Sequence, residues 1–211
     1  MIRSFRSVSA VILVLASVAC AYASQPAPTV AAPKKVADTN AALRDLWLGH
    51  ILGIRNVAVA TMDKNTAARE TAEKNVVANA QQIAQSIEPF YGKPASEKLF
   101  TLLAGHYGAI RDHLDATVAG NTTQQQAAVK SLTANAGEIA TFLSGANPYL
   151  PKDAVMGLLM THAAHHIQQF QQLKVGEYDQ EADTWKGMKQ HIYVVADTLT
   201  GALAQQFPNK F

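Results

Sequence analysis

Cysteine occurs once in this chain of 211 residues, at Cys20. One thiol excludes an internal disulfide framework and a thiolate metal cluster. An excess of either charge is also missing. The chain has 18 Lys and Arg against 16 Asp and Glu, and none of them gathers into a basic stripe. Nucleic acid is therefore not an expected partner. Signature motifs of the common enzyme classes are absent: no Walker loop, no Rossmann glycine fingerprint, no Gly-x-Ser-x-Gly elbow and no His-Glu-x-x-His. Glu-x-x-His pairs, which a carboxylate-bridged di-iron centre requires, are absent too. With no nucleophile or substrate-gripping cluster legible, a non-catalytic role is the expectation. The one sustained apolar run, VSAVILVLASVA at 8–19, is too short for a comfortable membrane span.

That run has another use. It follows the basic MIRSFR and precedes the small residues AYA, the order of a secretory signal. Residues 1–23 read as that signal, with cleavage after Ala23, so the protein is expected to be exported, periplasmic or secreted, with no integral span in its mature form. The alternative is a lipid anchor on Cys20 after SVAC, although Ser17 stands where such signals prefer a branched apolar residue. Residues 24–38, SQPAPTVAAPKKVAD, read as a Pro- and Ala-rich tether, and 39–211 as one folded domain. At 48% hydrophobic residues the chain can fill a core.

From Thr39 onward apolar residues recur at spacings of three and four, the period of a helix. Breaks rich in Gly, Pro and Asn-Thr divide the domain into six helices, roughly 40–62, 67–89, 96–118, 123–145, 152–174 and 179–206. The segments LRDLWLGHILGI (43–54), LFTLLAGHYGAI (99–110) and VMGLLMTHAAHH (155–166) align without gaps at an offset of 56 residues, superposing His50, His106 and His162. The same offset superposes Asn79, Asn135 and His191 in the following helices, and matches KNT at 64–66 with GNT at 120–122. The expected fold is all-α: an up-and-down bundle of six helices built as three tandem hairpins.

His50, His106 and His162 fall within apolar stripes, near the midpoints of their helices. Midpoints of up-and-down neighbours share one height, so His50, Asn79, His106, Asn135, His162 and His191 are expected to form a single polar layer, with His166 one turn away. Neutral imidazole ligates zinc, copper and iron, and His162 with His166 has the i, i+4 spacing that lets two rings share an ion. The candidate ligands are His50, His106, His162, His166 and His191, with Asn79 and Asn135 holding free ring nitrogens behind them. Zinc or copper suits such a set best, and iron is a further option. The competing reading is a hydrogen-bonded core layer in a structural or interaction module, since His and Asn both donate and accept. Two core histidines could also bracket a haem, for which the alanines of TANAGEIA and HAAHH give weak support. Arg55 and Arg111 are equivalent under the repeat; the commoner fate for such residues is a solvated surface position, and facing inward they would clamp a small anionic ligand. His165 is expected off the core, and His113 is ambiguous, its counterpart in the third repeat being Gln169.

LRDLWLGHILGIR (43–55), ANAGEIATFLSGANPYLP (134–151), His162 and the ending QFPNKF (206–211) resemble a family of small bacterial helical proteins with an LW-x-x-H-x-x-x-x-R first helix. The resemblance covers most of 40–211. It implies an all-helical fold and directs attention to His50, Arg55, Asn79, His106, Asn135, His162 and His191, but brings no established activity. The chain departs from the family pattern at Gly53 and Ile54, where Trp-Thr is usual, and in having His165-His166.

Overall fold

The computed structural model describes residues 34–211, and every described element is helical. The signal and the greater part of the tether lie outside the described residues. The tether's last residues, 34–38, form the first turn of a helix. Six long helices, α1 (Lys34–Met62), α2 (Thr66–Ser86), α4 (Lys93–Ala119), α5 (Thr122–Ala146), α6 (Lys152–Val175) and α7 (Tyr178–Gln206), are joined by short connections. One of these carries the single-turn α3 (Glu88–Tyr91), and a 3₁₀ turn at Pro208–Lys210 follows α7.

Local chemistry sets the ends of these helices. The Asn65 and Asn121 side chains accept from the backbone N–H of Ala68 and Gln124, both at 3.0 Å, capping α2 and α5. Gly120 and Gly176 close α4 and α6 in the left-handed conformation, with φ of 71° and 78°. Lys64 takes up a similar φ of 55° in the turn between α1 and α2, where a side chain makes that conformation costly.

Each helix buries one face. Ile51, Phe170, Met188 and Ile192 are fully buried, each large side chain contributing about 1.5–3 kcal/mol. Buried alanines such as Ala80, Ala136, Ala140 and Ala163 let backbones approach closely. Packing runs in a closed ring: α1 on α2, α2 on α4, α4 on α5, α5 on α6, α6 on α7 and α7 on α1. Additional contacts join α1, α4 and α6 to one another. The three helices that carry His50, His106 and His162 therefore meet inside the ring. No helix among the described residues is long and apolar enough to cross a membrane.

Candidate metal centre

His50 on α1, His106 on α4, and His162 and His166 on α6 are 5%, 3%, 2% and 0% exposed. His162 and His166 sit one turn apart on one face of α6, so their rings meet edge to face with centroids 4.6 Å apart. His50 approaches from α1, 5.5 Å from the His162 ring and 6.3 Å from that of His166. His106 stacks on His162 at 6.0 Å. Phe170 stacks on His166 at 5.9 Å and Trp47 meets His50 edge-on at 5.8 Å, closing the cluster with aromatic walls.

One nitrogen from each of His50, His162 and His166 lies within 4.8 Å of the other two, close enough for the three to hold a metal ion. A tetrahedral ion with bonds of about 2.0–2.1 Å sets its nitrogens roughly 3.3 Å apart. Ring rotation of this trio must therefore close a gap of at most about 1.5 Å. The donor chemistry fits a transition metal, because nitrogen-only sets suit zinc and copper and do not suit calcium or magnesium.

The hydrogen-bond inventory also fits. Nδ1 of His50, both ring nitrogens of His162 and of His166, and Nε2 of His106 are buried without a partner among the described residues. Leaving buried polar atoms unsatisfied costs about 1–3 kcal/mol each, so a ligand that engages several at once is strongly favoured. His106 is poised differently from the trio. Asn135 donates its Nδ2 to the Leu102 carbonyl at 3.0 Å, which turns its Oδ1 toward His106 Nδ1 at 3.2 Å. That oxygen requires a proton on Nδ1 and leaves the lone pair on the orphaned Nε2.

Burial keeps these rings neutral. It pushes His50 down to about 3, helped by the charge His106 would carry. It pushes His106 down to about 4, against the opposing bond to Asn135. His162 and His166 are held well below the ordinary value, again chiefly by burial and then by their neighbouring imidazoles. Neutral imidazole is the form that binds metal.

The remaining expected residues are placed elsewhere. His191 lies outside the cluster: its Nε2 donates to the Leu158 carbonyl at 2.9 Å and its ring faces the half-buried His165 at 5.5 Å. Asn79 donates to the Leu46 carbonyl at 3.0 Å and engages no ring nitrogen. Both Asn79 and Asn135 use space left by a glycine before the histidine: a Cβ on Gly49 or Gly105 would stand 3.2 or 3.1 Å from the amide nitrogen. His113 is buried against Phe170, its Nδ1 3.3 Å from the Thr117 hydroxyl.

Arg55 departs from the solvated expectation. Its guanidinium makes two bonds to Glu181, at 2.8 and 2.9 Å, beside the Trp185 ring. Glu181 is only 3% exposed, and Gln169 donates to it at 2.7 Å. The Arg55 bond holds the Glu181 carboxyl below its usual range, outweighing burial. A buried carboxylate needs such a partner, so Arg55 is committed and does not present a free fork to an anion. Arg111, its counterpart, stays largely exposed with only a long contact to Asp112 at 3.4 Å.

The sequence reading missed Glu181 and Gln169 as partners. The available signal was Arg55 itself, which needs a carboxylate if it faces inward. No family model, curated protein or solved structure matches the chain, so fold and geometry alone define it: an all-helical bundle with a buried histidine cluster.

Proposed function

We propose that the protein binds one transition metal ion, zinc or copper, through His50, His162 and His166, with His106 within reach as a fourth donor, and that it does so without catalysis. The observation that carries this reading is the run of buried, neutral ring nitrogens with no partner, converging from three helices. Asn135 behind His106 adds the outer support that metal-binding imidazoles use. The protein acts outside the cytoplasm, an inference that rests on residues 1–23 alone.

We also infer three tandem hairpins. Asn79 to Leu46, Asn135 to Leu102 and His191 to Leu158 are the same side-chain-to-carbonyl bond, each linking residues 33 apart and each recurring 56 residues on. These bonds favour a second role for the outer members of the polar layer, fixing helix register within each hairpin. On that reading His191 does structural work and the central histidines remain for the ion.

The test is elemental analysis of the untagged chain beside His50→Ala and His162→Ala, with melts in added Zn²⁺ and Cu²⁺. About one equivalent of metal, absent from both variants, supports the site. At a free ion concentration of about 1,000 times Kd the folded state gains about 4 kcal/mol. Equal metal content in all three chains, or no shift of the melt, refutes it.

A further inference from the structure

Gln169 is a fully buried amide of which only one half is engaged. Its Nε2 donates to Glu181 Oε1 at 2.7 Å, while its own Oε1 is sealed from solvent and has no donor among the described residues. The amide cannot turn over to relieve that oxygen, because the turn would set it against the Glu181 carboxylate. Glu181 is itself fixed by two bonds from Arg55, at 2.8 and 2.9 Å. The ion pair therefore sets the direction in which Gln169 points.

His166 precedes Gln169 on α6 at the i, i+3 spacing, so the two side chains share a face of the helix. Its ring is fully buried, and neither nitrogen has a partner among the described residues. A metal ion takes the lone pair of one ring nitrogen and leaves the other as an N–H donor. The liganded ring would thus be a donor in want of an acceptor, one step along α6 from an acceptor in want of a donor. Burial and the neighbouring imidazoles hold His166 low, and the Gln169 side chain opposes them, as an acceptor beside the ring does.

Resting on the reading that His50, His162 and His166 hold the ion, we infer that Gln169 is a positioning residue for this centre. Its Oε1 accepts the N–H of whichever His166 nitrogen does not bind the metal, and Glu181 anchors its other end. This contact fixes the tautomer and orientation of His166, as Asn135 does for His106. Glu181→Gln keeps an oxygen facing Gln169, so the contact depends on the amide and not on the charge behind it.

The untagged chain, labelled with ¹⁵N-histidine, is compared with Gln169→Met, which keeps an unbranched side chain of similar length without the amide. With one equivalent of Zn²⁺, the unmodified chain is expected to show a slowly exchanging His166 N–H with a cross-peak to the Gln169 side chain. Contacts to Phe170, stacked on the ring at 5.9 Å, assign that signal. In Gln169→Met it is expected to move upfield and exchange faster, while the His106 N–H held by Asn135 stays in place. Zinc affinity, read by competition with a chromophoric chelator, is expected to fall about tenfold to a hundredfold. A purely structural role for Gln169 would lower the melt but leave the His166 proton and the affinity unchanged, and that result overturns the inference. If Gln169→Met fails to fold, the unmodified chain decides: a His166 N–H without a cross-peak to Gln169 overturns the inference too. No zinc uptake by the unmodified chain refutes the metal reading and this inference together, whereas full uptake with an unchanged Gln169→Met refutes the inference alone.

Discussion

Acid should unfold the metal-free chain in a window set by its central histidines. An unfolded histidine titrates near 6.5, whereas His50 is held at about 3 and His106 at about 4 in the fold. Between those limits the unfolded state binds more protons than the folded one, so stability falls as pH falls. pH 5 lies about 1.5 units below the unfolded value while both rings are still neutral in the fold, a loss of about 2 kcal/mol apiece and about 4 kcal/mol together. His162 and His166, depressed for the same reason, add in the same direction. Glu181 and Asp197, held low by Arg55 and Arg44, contribute mainly below this window, because their stabilisation is lost only as pH passes below the unfolded carboxylate range. Against a typical total of about 5–15 kcal/mol, the histidine contribution is large. Urea unfolding followed by circular dichroism at pH 7.5 and 5.0, in chelator, reads it directly. His50→Phe should flatten the dependence by about 2 kcal/mol whatever it does to absolute stability. Equal stability at both pH values would refute the reasoning, because it would mean the rings take up protons inside the fold at no cost.

Further outcomes follow from single contacts. Lys64→Gly should raise stability by about 1 kcal/mol in thermal or urea unfolding, because it removes a side chain from a left-handed turn where Gly120 and Gly176 stand at the ends of α4 and α6. Asn79→Ala and Asn135→Ala should each cost about 0.5–1.5 kcal/mol through the hydrogen bond lost to the leucine carbonyl, but only Asn135→Ala should also weaken zinc binding in a competition titration, since only Asn135 holds a histidine of the cluster. Glu181→Gln should destabilise by about 2–4 kcal/mol in urea melts, less than for a sealed pair because Arg55 is one-third exposed, and should leave metal content unchanged.

The helices were legible because their punctuation is chemical: Asn-Thr caps, glycine closures and proline starts stand where the periodicity breaks. The centrality of His50, His106 and His162 was legible for a related reason, since each falls in an apolar stripe at mid-helix. Whether a polar residue in that layer faces the axis or the flanking helix was not. His191 aligns in sequence with Asn79 and Asn135 and, like them, bonds a leucine carbonyl, whereas the layer reading counts it among the ligands. That choice depends on ring orientation, which spacing does not encode. His166 joined the cluster because i, i+4 neighbours share a face, a rule that sequence does carry. The Arg55–Glu181–Gln169 network was hidden because its members lie on α1, α7 and α6, and pairing across three helices depends on packing angles.

The measurement that bears most directly on the metal centre is X-ray absorption at the zinc edge of the untagged chain loaded with one equivalent of Zn²⁺. Three or four nitrogen neighbours at about 2.0–2.1 Å, with the multiple scattering of imidazole rings and a lower imidazole count in His162→Ala, is the expected result. A six-coordinate, oxygen-rich shell unchanged in that variant would place the ion on the surface and contradict the account.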